Sequence, residues 1–124
     1  MNAHTPHPYL KKLDRILDRM GGLYTAKDII DQINLGRMQS FLQGDSWVIT
    51  RIMDHPRGRS LEIFAVVGNV DDLRILHDRI VMYGFEIGAK VITAYGRKGW
   101  LPDARRRGWT VKARSFVYQR VCDE

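Results

Sequence analysis

Apolar positions at three- and four-residue steps open the chain. Leu10, Leu13, Ile16, Leu17 and Met20 form one stripe, the spacing of an amphipathic helix. Pro8 suits its first turn and Gly21-Gly22 ends it. Thr25 then predicts the cap of a second helix, with Asp28 as capping-box partner, Ile29, Ile30 and Ile33 on the buried side and Gly36 at the close.

From there the period changes. "SWVITRIMD" (46–54) and "SLEIFAVVG" (60–68) are β-branched and aromatic, and the "HPRGR" between them carries turn residues, so the pattern predicts an antiparallel hairpin. Ile63 to Val67 is apolar at nearly every position, which predicts a central strand covered on both faces. Asn69, with Asp72 three residues on, predicts the start of a third helix whose stripe is Leu73, Leu76, Ile80, Tyr83 and Ile87. Gly84 inside that helix costs about 1 kcal/mol relative to alanine and points to close packing against a sheet. After Gly88, "AKVITAY" (89–95) reads as a buried strand. Pro102 to Gly108 reads as a short helix and "WTVKARSFVYQRV" (109–121) as a long final strand. The order α-α-β-β-α-β-α-β predicts a single α/β (α+β) domain over residues 1–124.

Composition agrees with that reading. The 124 residues are 44% hydrophobic and 27% charged, as in an ordinary globular domain. No apolar run approaches the roughly 20 residues of a membrane span. "MNAHTPHPYLKKLDR" lacks the apolar core of a signal peptide, so a reducing cytoplasm is the expected setting. Cys122, the single cysteine, has no internal disulfide partner, and His4, His7, His55 and His77 are scattered without zinc spacing. No metal is expected.

Charge changes the picture. The net charge is +6, but residues 97–120 hold eight basic side chains against one acidic, Asp103, leaving the remainder at −1. Arg97, Arg105, Arg106, Arg107, Lys112, Arg114 and Arg120 are therefore candidate anion- or nucleic-acid-binding residues. Alternation in the last strand puts Lys112, Arg114, Phe116, Tyr118 and Arg120 on one face, where cations hold phosphates and rings stack bases in single-strand binders. The opposing reading is a solvated basic surface, with Phe116 and Tyr118 packed beneath the short helix and Trp100 and Trp109 anchoring that helix to the sheet.

The element order from about residue 25 to 121 resembles the GNAT N-acyltransferase fold, a mixed central sheet with N-terminal helices, one long helix and one short. In "GRKGWLPDARRRGW" a helix ends at Gly108 before Trp109, which is similar to the family's closing Tyr-x-x-x-Gly-Phe segment. G-R-x-G-W followed by a short helix and G-W is similar to small GNAT-like proteins of tailed bacteriophages, some of which are virion or morphogenesis components. The resemblance implies an acetyl-CoA site around Val67, Gly68, Asn69 and Val70, if CoA binds. The family's pyrophosphate loop, Gln/Arg-x-x-Gly-x-Gly/Ala, is met here by "VVGNVDDL", which has Gly68 but no basic residue or second glycine at the family's spacing, and adds Asp71 and Asp72. The family's proton-donating Tyr falls at Ala104 and its Asn at Arg97. Glu62 is the candidate general base, with Asp54 and His55 nearby, and each also reads as a solvent-facing hairpin residue.

The expectation that follows is a non-catalytic, phage-type, GNAT-like protein without a cofactor. It would bind other virion or phage proteins, in the host cytoplasm or within the particle, with a homo-oligomer open. An active acetyl-CoA-dependent N-acyltransferase and a salt-sensitive nucleic-acid binder are the alternatives.

Overall fold

Local capping fixes where the first two helices meet. Helix α1 (His7–Arg19) stops at the two glycines, and α2 (Ala26–Asn34) begins after Thr25. Thr25 Oγ1 accepts from the Asp28 N–H at 3.2 Å, and the Asp28 carboxylate accepts from the Thr25 N–H at 2.9 Å, a complete capping box. That backbone hydrogen bond from Thr25 is the first cause holding the Asp28 carboxyl below its usual value. Asp14 of α1 adds a third acceptor, taking the Ala26 N–H at 2.7 Å and tying the two helices end to side.

In the computed structural model, residues 7–94 and 105–110 are described. Four strands follow the helices: β1 (Gln39–Gln43), β2 (Ser46–His55), β3 (Gly58–Val67) and, after α3 (Val70–Glu86), β4 (Ala89–Ala94). Their order across the sheet is β1-β2-β3-β4, antiparallel through β3 and parallel between β3 and β4. The chain is thus mixed α/β, with a four-stranded mixed sheet and three helices among the described residues. None of its described helices is long and apolar enough to cross a membrane.

The hairpin and the central strand stand where the pattern puts them, though both strands run to the turn. His55 pairs with Gly58, so Pro56-Arg57 alone is the loop and the strands span 46–55 and 58–67, against the expected 46–54 and 60–68. Strand β1 is an addition to the expected order. It joins β2 through the two-residue loop Gly44-Asp45, with Gly44 at φ +56°. The predicted continuation of β4 to Tyr95, the helix start at Pro102 and the last strand beyond Thr110 lie outside the described residues. Arg105 and Arg106 are helical, and Gly108, at φ +88°, closes that turn by donating to the Arg105 carbonyl at 3.1 Å.

Two cores lie on opposite faces of the sheet. Trp47, Ile49, Ala65 and Val67 pack under α1 and α2 with Leu13, Leu17 and Ile29. Val48 and Leu61 pack under α3 with Leu76 and Ile80. A register shift makes Phe64 an extra residue of β3, because Ile49 pairs with Ala65 and Thr50 with Ile63. The bulge lets Phe64 and Ala65 both join the α1/α2 core, where Phe64 meets Tyr24 edge-on with centroids 5.2 Å apart.

Gly84 is buried in α3. A Cβ there would sit 3.2 Å from Ile92 Cδ1 and 3.8 Å from Leu61 Cδ2. Alanine gains about 1 kcal/mol of helix propensity and asks one Ile92 methyl to yield. Gly84→Ala should therefore leave stability within about 1 kcal/mol of the parent, while Gly84→Leu should lose about 2 kcal/mol or more through overpacking. Urea midpoints of the two variants check this. Equal losses would show that the helix backbone, not the space beside Ile92, decides the position.

Candidate functional site

The start of α3 is where the family resemblance would seat a cofactor's phosphates. Val67 ends β3, Gly68 turns the chain at φ +146°, and Asn69 caps the helix, its side chain accepting from the Asp72 N–H at 2.9 Å. Asp72 does not complete a capping box. Its carboxylate accepts instead from the Ser46 hydroxyl at 2.9 Å and from Asn69 Nδ2 at 2.9 Å, while Ser46 Oγ takes the Asn69 N–H at 3.1 Å. Ser46 is fully buried, so the network joins the first residue of β2 to the first turn of α3. Gly44 closes over it: a Cβ there would lie 2.9 Å from Asp72 Oδ2. Asp71 stands exposed beside this, 3.8 Å from Arg74.

Helix N-termini attract anions through unpaired N–H groups and the helix dipole. Here the chain's own side chains use that potential. Of the first-turn donors, the Asp72 N–H belongs to Asn69, and two carboxylates lie where an incoming phosphate would carry the same sign. The arrangement stabilises the helix and opposes a pyrophosphate.

The candidate base Glu62 sits on β3 opposite Arg51 of β2 and forms an ion pair with it. Its side chain is only 13% exposed, and the same arginine lies 4.9 Å over the Phe64 ring. This carboxylate is committed to a structural partner. Asp54 pairs with Arg59 at 2.7 Å, and that hydrogen bond is the main reason its carboxyl stays below the ordinary value. Arg59 also reaches across to donate to the Ile87 carbonyl at 3.0 Å, pinning the end of α3. His55 Nε2 lies 2.8 Å from the Ser60 hydroxyl. Three candidates of one hairpin thus have three separate partners, and no hydrogen bond links them into a relay.

Glu62, His55 and Ser60 share the α1/α2 face of the sheet, beyond the part those helices cover. With Met53, Arg57, Lys90, Val91 and Thr93 they line a groove of about 470 Å³. Sequence reading singled out none of Arg51, Arg57, Ser60 or Lys90. The signal for Arg51 was present: a two-residue turn at Pro56-Arg57 sets Arg51 opposite Glu62.

The arginine corner rests on α3. Trp109 Nε1 donates to His77 Nε2 at 2.9 Å, with ring centroids 6.0 Å apart. Trp109 therefore anchors this segment to a helix, where the sequence had suggested the sheet. Arg105 and Arg106 are exposed and Arg107 is half-buried. The other anion-binding candidates, Arg97, Lys112, Arg114 and Arg120, lie outside the described residues, as do Trp100, Ala104, Phe116 and Tyr118.

No protein-family model matches the chain, and no curated protein matches it in sequence. Two solved structures are similar in fold, the wild type and a point mutant of TTHA1254 from Thermus thermophilus. Their TM-scores are 0.60 and 0.61, at 11% identity, covering 97% of this chain and 96% of theirs. The likeness concerns the fold.

Proposed function

We propose that this chain is a GNAT-like domain without acetyl-CoA chemistry, acting as a binding component of the kind made by tailed bacteriophages, with other virion or assembly proteins as its partners. One observation carries the reading. The Asp72 carboxylate, held by Ser46 and Asn69, occupies the helix start that a cofactor's pyrophosphate would need. The engagement of Glu62 by Arg51 points the same way.

N-acyl transfer is the second reading, favoured by the place of Glu62 on the groove wall. A thermal-unfolding titration with acetyl-CoA separates the two, with 3′-phosphoadenosine 5′-diphosphate as the pantetheine-free control. The expected result is no acetyl-CoA-specific shift at millimolar concentration. A ligand at 100 times its dissociation constant stabilises the folded state by about 2.7 kcal/mol, roughly ten degrees for a domain of this size. A saturable rise of that order with acetyl-CoA, absent with the control, would overturn the non-catalytic reading.

A further inference from the structure

The groove on the α1/α2 side of the sheet is lined by two cationic side chains, Arg57 and Lys90, against one carboxylate, Glu62, with Arg59 at its edge turning its guanidinium to the α3 side. Two of these charges are met by neighbours, Glu62 by Arg51 and Arg59 by Asp54. Arg57 and Lys90 are exposed, and neither makes an ion pair or side-chain hydrogen bond with the other described residues. The surplus is two positive charges at the hairpin end of one concavity.

The local chain holds these groups in place. Lys90 lies across Gly58, where a Cβ would come 3.1 Å from Lys90 Cδ and 3.4 Å from its Cβ. Only glycine, at φ +149°, lets the lysine stem rest on the turn that carries Arg57. Beside them the His55 ring is fixed through Nε2 to Ser60, a buried residue. That leaves Nδ1 as the ring atom open to a ligand. Met53 and Val91 supply apolar wall.

We propose that this groove binds the phosphate group of a small phosphorylated molecule of about mononucleotide size, with Arg57 and Lys90 holding the oxyanion and the body of the ligand lying against Met53 and Val91. A guanidinium fork suits two phosphate oxygens, and an ammonium adds a point charge. Two unmet cations match a dianion better than a single carboxylate. The volume of about 470 Å³ falls within the range of small-molecule sites, about 300–1,000 Å³. A polymer would call for a track of cations leading away from the groove. The described arginine corner, Arg105 to Arg107, is instead docked through Trp109 on α3, which packs on the opposite face of the sheet.

Calorimetric titration of the full chain with adenosine 5′-monophosphate, at low salt, tests the proposal. Adenosine serves as the uncharged control. Saturable binding of the monophosphate, no binding of adenosine, and a weakening of about tenfold or more (1.4 kcal/mol) in both Arg57→Gln and Lys90→Met are expected. Lys27→Gln, on the exposed side of α2, should bind as the parent does. The sites are exposed, so circular dichroism should show all three variants folded. No binding of the monophosphate, equal binding of adenosine, or affinity untouched by Arg57→Gln and Lys90→Met would each overturn the proposal. Tighter binding of an oligothymidylate than of the monophosphate, with a steep salt dependence, would replace it with a polymer site. None of these arms involves a thioester or pantetheine, so the outcome is independent of the acetyl-CoA titration.

Discussion

Replacing Gly68 with alanine is expected to cost about 3–5 kcal/mol and to lower the thermal midpoint by roughly 10–20 degrees. Two causes add. At φ +146° the backbone occupies a region that side-chain-bearing residues rarely adopt, a strain of about 1–3 kcal/mol. A Cβ there would also overlap the Ser46 side chain and come within 2.8 Å of Ser46 Cα. That last atom is backbone of a fully buried β2 residue and cannot swing away. The loop cannot simply shift either, because Ser46 Oγ holds both the Asn69 N–H and the Asp72 carboxylate. Differential scanning calorimetry of Gly68→Ala, Ser46→Gly and the double variant checks the account. Ser46→Gly removes the side-chain overlap but also loses the bonds to Asn69 and Asp72 and leaves the strain and the contact with Ser46 Cα, so the two losses should be less than additive in the double variant without cancelling. A Gly68→Ala protein within about 1 kcal/mol of the parent would mean that the turn is far softer than its geometry implies.

The same position shows how much of the site could be read from the chain. The glycine after β3 was visible, and the family resemblance gave it a cofactor to approach. Its neighbour across space is Ser46, 22 residues earlier, and nothing in the local pattern announces that contact. Asn69 and Asp72 were legible as a helix start because caps are local chemistry. The real partner of Asp72 was not, since it comes from another strand. Thr25 and Asp28 are legible for the converse reason, as both halves of their capping box lie within four residues.

Strand β1 was missed because "QSFLQ" neither alternates nor carries β-branched residues. Its one local clue was the Gly44-Asp45 pair before β2, a tight-hairpin signal. The bulge at Phe64 hid within a run of consecutive apolar residues, where period-two counting gives no register. The fate of Glu62 was nearer to hand. Treating "HPRGR" as a five-residue loop lost the pairing, whereas a two-residue turn at Pro56-Arg57 makes Arg51 its cross-strand neighbour. The groove itself could not be anticipated, because it depends on β4 returning parallel beside β3 and bringing Lys90 to the turn.

Leu61→Ala should remove about 3–5 kcal/mol, a large fraction of the roughly 5–15 kcal/mol that holds an ordinary domain folded. Leu61 is fully buried at the point where three elements meet. It pairs with Ile92 across the parallel β3–β4 ladder, packs with Leu76 and Ile80 of α3, and lies beside Gly84. A cavity opened there has little means of collapse. One end of α3 is fixed by Ser46, Asn69 and Asp72, and the other by Arg59 on the Ile87 carbonyl, so the helix cannot settle onto the sheet. The cost should therefore fall near the top of the range for leucine truncation. Val91, next to Ile92 but turned to the groove face and 51% exposed, provides the contrast: Val91→Ala should change stability by less than about 0.5 kcal/mol. Urea unfolding of both variants, with unchanged slopes, checks the pair. A loss below about 2 kcal/mol at Leu61 would show that α3 does relax, and that its two anchored ends carry less of the fold than their hydrogen bonds suggest. The predicted asymmetry follows from the sheet itself. One face of the β3–β4 pair is closed by α3 and sets the stability, while the hairpin end of the other is covered by no helix among the described residues, and exposed side chains such as Val91 are therefore free to change without loss of the fold.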